Sequence, residues 1–322
     1  MIARAGLLAA GLATTLAVAN PAAQSPASEP VAVLRAGTSH QALFGVAFDG
    51  VTGAAVGAQG AILESSDGGG HWTPVAEPVV PLALLAVGVK GVRRIAVGQR
   101  GVILVADAAA GWRLVPAVTD NRLLAVSLNS HGLAVAVGGF GTVLIAADDA
   151  AWRVVRIDWS AFAEAGVEPH LYAVDVDEAC AITIAGEFGL ILRSTDAGGH
   201  WQLLHKGEES LFALELRADG VGYAVGQNGT VLRTADHGRS WAPRNPSGAS
   251  ANLLGVRSFA SGRVYVSGMR DMLASEDEGV TWRHVTGGDF GFAWYAALAA
   301  PATSESYVIA VGHSGRVLRI GG

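Results

Sequence analysis

Residues 211–245 read LFALELRADGVGYAVGQNGTVLRTADHGRSWAPRN, and the fold is legible in the order of their parts. The apolar run LFALELRA stops at Asp219-Gly220. VGYAVG follows and stops at Gln227-Asn228-Gly229, TVLRT runs into the loop ADHGRS, and WAPRN begins at a tryptophan. Four short β-type runs punctuated by Asp-Gly, Asn-Gly and a polar loop predict one antiparallel sheet of four strands.

The same grammar recurs along the chain. Apolar triplets open seven copies: Phe44-Gly45-Val46, Leu85-Ala86-Val87, Leu124-Ala125-Val126, Tyr172-Ala173-Val174, Phe212-Ala213-Leu214, Leu254-Gly255-Val256 and Tyr295-Ala296-Ala297. Each copy then reaches a tight turn beginning at Gly57, Gly98, Gly138, Gly186, Gly226, Gly268 or Gly312. Six of these seven turns read GxxG and the sixth in order is GMRD. Tryptophans follow at 72, 112, 152, 201, 241 and 282, spaced by 40, 40, 49, 40 and 41. A four-stranded sheet with two apolar faces cannot bury both alone, and radial stacking of units of about 40 residues buries them all. The prediction is an all-β chain, a seven-bladed β-propeller of four-stranded antiparallel blades spanning residues 31–322. The seventh copy stops near Ile320 without an aspartate loop, tryptophan or outer strand. Residues 31–37, VAVLRAG, precede the first copy and are expected to supply that strand, pairing with residues 316–320 and sealing the ring.

Four copies carry S/T-x-D-x-G-x-x-W, the Asp-box, between their third and fourth strands: Asp67 with Trp72, Asp196 with Trp201, Asp236 with Trp241, and Asp277 with Trp282. The aspartate can accept backbone N–H groups of its own turn, the glycine permits a positive φ, and the indole packs beneath the loop. Identical placement in four blades argues against catalysis, which uses one constellation. Copies two and three are degraded, around Asp107 and around Asp148 and Asp149, but keep Trp112 and Trp152.

This repeating string, clearest in Gly186-Glu-Phe-Gly-Leu-Ile-Leu-Arg193-Ser-Thr-Asp196 and Gly226-Gln-Asn-Gly-Thr-Val-Leu-Arg233-Thr-Ala-Asp236, resembles the propeller family of photosystem II assembly and stability factors and their bacterial relatives. The resemblance covers residues from about 31 to 320. It implies a non-enzymatic protein that binds client proteins partly through surface arginines. The corresponding arginine stands at Arg193, Arg233 and Arg319 and is replaced by Glu64, Val105, Ala146 and Ala274 in the other blades.

Composition narrows the classes. The formal charge is -6 from 28 acidic and 22 basic side chains, with no basic block, which disfavours nucleic-acid binding. Arg4, the apolar run 5–19 and Ala17-Val18-Ala19 form a signal-peptide pattern, so residues 1–23 are expected to be removed on export to the periplasm or beyond, leaving 24–30 as a linker. With Cys180 as the only cysteine, no internal disulfide can form. No cofactor or metal is expected: the histidines show no HxxxH or HExxH spacing, and neither a GxxxxGK[ST] nor a GxSxG string occurs. The rival from another class is an Asp-box glycoside hydrolase or sialidase, but no pair of carboxylates or arginine cluster suited to it stands out.

The expected partner face follows from propeller geometry. Turns between strands two and three share one end with the blade connections, and aspartate loops take the other. The first end gathers Gln59, Arg100, Phe140, Glu187, Phe188, Asn228, Met269, Arg270 and His313, and the longest connection, 157–171, adds Asp158, Trp159, Phe162, Glu164 and His170. Extra loop residues concentrated on one face suit a binding surface. Arg100, Phe140, Asp158, Trp159, Phe162, Glu187, Phe188, Asn228, Arg270 and His313 are therefore expected to meet a client protein of an envelope or membrane complex, the propeller itself being a monomer. A second aromatic cluster, 289–295, lies at the same end with Phe290, Trp294 and Tyr295.

Overall fold

The computed structural model describes residues 1–2, 30–107, 111–147, 151–164, 166–246 and 248–322. The expected signal segment and linker up to residue 29, and Asp148 and Asp149, lie outside these residues. Among the described residues, no helix is long and apolar enough to cross a membrane.

Seven four-stranded antiparallel sheets form a closed ring. Blade one comprises Leu43–Asp49, Thr52–Gly57, Ile62–Ser65 and Thr73–Pro74, ordered outward from the central channel, and the next five repeat that order. Second strands are the most enclosed. Leu133–Gly138 is buried at every residue, and Ala54, Ala96, Ala134, Ala136, Ala185, Ala224 and Ala310 are fully buried. Small side chains let neighbouring sheets approach face to face, which accounts for the abundance of alanine and glycine. Each of the seven apolar clusters joins two adjacent blades. One, for example, unites Val135, Val143 and Ile145 of blade three with Leu171, Ile184 and Leu192 of blade four. The core is thus seven thin layers between blades, and closing the ring completes the last of them.

The N-terminal strand Val31–Arg35 closes the ring as expected. It pairs antiparallel with Val317–Gly321, with Val31 opposite Ile320, Ala32 opposite Arg319 and Val33 opposite Leu318. The Gly321 N–H also donates to Pro30 (2.9 Å), and the Gly37 N–H to Ser314 (2.9 Å). One expectation shifts by a residue. Tyr295 lies opposite Gly312, as Leu43 lies opposite Gly57, so the seventh triplet is Ala296-Ala297-Leu298 and not Tyr295-Ala296-Ala297. Tyr295 is accordingly fully buried.

The loops sort to two ends as predicted. The Gly68, His237 and Glu278 N–H groups of aspartate loops donate to Val51, Gly220 and Gly262 in the turns between strands one and two. At the other end the Gly141, Gly229 and Arg270 N–H groups donate to Pro169, Ala251 and Ala293 of the blade connections.

Candidate partner-binding face

The turn joining strands two and three is built alike in every blade. Its first glycine passes so close to the preceding inner strand that a Cβ on Gly98 would lie 2.2 Å from the Ala83 carbonyl oxygen, and one on Gly226 would lie 1.9 Å from that of Ser210. The following N–H donates to that same carbonyl, as Gln99 does to Ala83 (3.0 Å) and Gln227 to Ser210 (2.9 Å). The third residue adopts the left-handed region: Gln59, Arg100, Phe140, Phe188, Asn228, Arg270 and Ser314 have φ between 52° and 60°. Asparagine or glycine tolerates this conformation best, and each phenylalanine or arginine there costs on the order of 1 kcal/mol. Yet Phe140 is 62% exposed and Phe188 40%. Both rings are held largely out to solvent.

The long connection between blades three and four packs onto this surface and is partly internal. Asp158 caps the short 3-10 turn Trp159–Ala161, accepting the Ser160 N–H (3.2 Å) and hydroxyl (2.6 Å). Trp159, expected at the partner surface, is buried. Its indole fills the space left by Gly141, where a Cβ would meet Nε1 at 2.1 Å, and it packs edge-on to half-buried Phe162. Phe290 is buried against Tyr295 in the same manner. His170 fastens the insertion to blade three: its Nδ1 accepts the Phe140 N–H (3.0 Å), and the two rings meet edge to face at 5.0 Å. Glu187 accepts the His170 N–H (2.8 Å) and the Tyr172 hydroxyl (3.4 Å), so its carboxylate is an internal fastener. His313 is likewise engaged, with Nε2 2.9 Å from Asp289, which also accepts the Tyr295 hydroxyl (2.6 Å) and pairs with Arg316 (3.2 Å). Burial would raise the Asp289 carboxyl, but Tyr295, His313 and Arg316 together hold it below the ordinary range. Arg100, Phe140, Asp158, Phe188, Asn228 and Arg270 remain exposed, and Phe292, at 81% exposure, joins them.

Proteins of known structure share this ring. YCF48 bound to D1 peptide superposes with a TM-score of 0.70 at 16% identity, over 95% of this chain and 100% of that one. YCF48 from Cyanidioschyzon merolae gives 0.70 at 17% identity over 92% and 99%. A streptogramin B lyase structure gives 0.76 at 10% identity over 91% and 98%. The likeness is one of fold. In sequence, 111 residues are 30% identical to the uncharacterized protein YkuO of Bacillus subtilis (strain 168), a match spanning 33% of this chain and 37% of that protein. The chain matches no protein-family profile.

The central channel carries features that the sequence reading passed over. Every inner strand has an irregularity one residue after its first pair. The unpaired residues Phe44, Leu85, Leu124, Tyr172, Phe212, Leu254 and Ala296 form a half-buried apolar ring. Phe44 of this ring stacks on Trp294, which precedes the seventh inner strand (5.9 Å, 2° between planes), and Tyr172 meets Phe212 edge to face (5.1 Å). Three residues further on, the equivalent positions hold Ser127, Asp175, Glu215 and Arg257 in blades three to six, opposite Ala299, Ala47 and Gly88. The Ser127 hydroxyl accepts the Val176 N–H of the next blade (3.0 Å), and Glu215 accepts the Ser258 N–H (2.7 Å) and pairs with Arg257 (2.7 Å). Asp175 opens with Glu215 and Arg257 onto a channel-end cavity of about 380 Å³. Burial, reinforced by the negative charge of Glu215 and Asp177 and opposed by Arg193, pushes its carboxyl up to about 7.

At the opposite end the aspartate loops are self-contained. In the first, the Ser65 hydroxyl donates to Asp67 (2.9 Å), Asp67 accepts the His71 N–H (3.0 Å), and the Trp72 indole N–H donates to Gly69 (2.9 Å). Trp201 and Trp241 bond Gly198 and Gly238 in the same way, whereas Trp282 reaches back to Arg244. The residue before each tryptophan is a further element of the motif: His71, His200, Ser240 and Thr281 all bond the second oxygen of Asp67, Asp196, Asp236 or Asp277, at 2.6 to 2.7 Å. The backbone N–H and then the ring of His71 and His200 hold the carboxyls of Asp67 and Asp196 far below the ordinary range. The family-like arginines are mostly enclosed. Arg193 pairs with Asp177 (2.9 Å) and bonds Thr183 (3.0 Å), and Arg233 pairs with Glu278 of the next blade. Arg319 lies over the Tyr307 ring (5.3 Å). Glu64, replacing the arginine in blade one, bonds Arg94 (2.7 Å) and the Trp112 indole (2.9 Å) of blade two, so this position ties blades together even with its charge reversed.

Proposed function

We propose that this chain is a non-enzymatic, exported scaffold that acts as a monomer and holds a client protein of an envelope or membrane complex during assembly or stabilisation. The observation that carries the reading is the occupancy of the left-handed turn positions. Arg100, Phe140, Phe188 and Arg270 are presented to solvent where the backbone alone favours glycine or asparagine. Bulky apolar and cationic side chains kept at a local cost on one face suit recognition of a protein surface. The structure of YCF48 bound to D1 peptide supports the reading, since a ring of this shape binds a peptide. The tying of Asp67, Asp196, Asp236 and Asp277 into their own loops supports a scaffold over a catalyst. The N-terminal sequence supports export.

The test is affinity capture from the producing cell with the native chain and with Arg100, Phe140, Phe188 and Arg270 all changed to alanine. The native chain should retain an envelope or membrane protein that the fourfold variant loses. Retention of the same proteins by both would refute the face.

A further inference from the structure

We infer that the ridge formed by Phe140 docks an extended segment of protein bearing an acidic, an apolar and a basic side chain at alternate positions, an inference that rests on the partner-binding reading of this face. Two hollows, of about 430 and 420 Å³, meet at Phe140. The first is lined by Arg100, Arg122 and Asp120, a net positive set, and neither arginine side chain forms a hydrogen bond or ion pair among the described residues. The second is lined by Asp158 and Glu168 with Ile157 and Val167, a net negative set. Among the described residues Asp158 is engaged there only by neighbouring Ser160.

Phe140 between them is 62% exposed, and its position is fixed by the backbone bond to His170 and the edge contact with that ring. A rigid apolar ridge flanked by hollows of opposite charge is organised before anything binds, which lowers the ordering cost of association. Side chains on one face of an extended segment recur about every 7 Å. Successive positions on that face can therefore reach the positive hollow, the ridge and the negative hollow. Charge order gives such a surface its specificity, because a like-charged group in either hollow is repelled.

The experiment measures fluorescence anisotropy of four synthetic peptides at low salt, each flanked by Gly-Ser: DSLSK, DSLSE, KSLSR and SSLSS. Two exposed charge pairs at up to about 0.7 kcal/mol each make about a tenfold difference. DSLSK should bind the native chain about tenfold more tightly than either like-charged peptide, with the advantage shrinking in 0.5 M salt. In Arg100→Glu/Arg122→Glu the preference should move to KSLSR, and in Asp158→Lys/Glu168→Lys to DSLSE, with melting temperatures confirming that both variants fold. Equal binding of all four peptides, or a preference unmoved by the reversals, overturns the charge order. If cell-derived clients still depend on Phe140 in that case, the partner face stands and only this inference falls. Clients retained equally by the variant with Arg100, Phe140, Phe188 and Arg270 all changed to alanine would instead refute the face itself.

Discussion

Replacing Asp175 with asparagine should stabilise the ring, and by an amount that depends on pH. The Asp175 carboxyl stands on the channel wall, where burial, Glu215 and Asp177 raise it from an ordinary 3.8 to about 7, against the pull of Arg193 and the Leu216 N–H. In the unfolded chain its proton leaves at the ordinary value, whereas the folded chain holds it to near neutrality. Folding is therefore unpenalised while the group is protonated in both states. A cost accumulates as pH rises from about 4 to about 7 and is fully present above that. Each pH unit between the two values is worth about 1.4 kcal/mol, which sets a ceiling of about 4 kcal/mol. Asp175 is half-buried and lines an open cavity, so solvent screening brings the working figure to about half of that, ~2 kcal/mol. Asparagine removes the charge while its carbonyl can still accept the Leu216 N–H. Asp175→Asn should thus melt about 4 °C above the native chain at pH 8 and within about 1 °C of it near pH 4. Calorimetry of both proteins at half-unit steps from pH 4 to 8 reads this directly. An advantage that is absent, constant with pH or larger in acid would refute the placement of an uncompensated carboxylate in the channel.

Deleting residues 29–38 removes the strand that pairs with Val317–Gly321, and loss of the Val31 and Leu34 contacts should lower the melting temperature by about 5–10 °C; an unchanged melting curve would show that the ring closes without it. Trp201→Ala should destabilise by about 3–4 kcal/mol and Trp201→Phe by about 1 kcal/mol in urea titrations, because the first loses packing and indole donor and the second loses chiefly the bond to Gly198. Asp67→Asn should destabilise at neutral pH, and native stability from this loop should persist until acid protonates Asp67 below its ordinary range, the opposite direction to Asp175. Phe140→Asn relieves a left-handed phenylalanine and keeps the N–H bond to His170, so thermal melting should stay level or rise by up to about 1 kcal/mol while client capture falls.

The ring was legible because its determinants are local and recur. Glycine is required wherever backbone passes within a Cβ of a carbonyl, as at Gly98 and Gly226, and the tryptophans keep step because each closes the same loop. Where one residue decides, the reading slipped. Trp294 and Tyr295 are adjacent aromatics at a strand start, and only the pairing of Tyr295 with Gly312 shows which begins the buried register. Trp159 reads as an exposed loop aromatic until Gly141, 18 residues earlier, is seen to leave room for its indole. The polar column fails to stand out for another reason. Ser127, Asp175, Glu215 and Arg257 each look like one tolerated polar residue in an apolar strand, and they lie 40 to 48 residues apart. Each reaches toward the next blade or pairs with a neighbour across the interface, so their meaning depends on ring closure and on four consecutive blades standing side by side. A periodic sequence therefore discloses its architecture through what it repeats. The arc of charge in the channel and the divided face around Phe140 arise where adjacent copies differ, and they become sites only once the repeat has placed those copies next to each other.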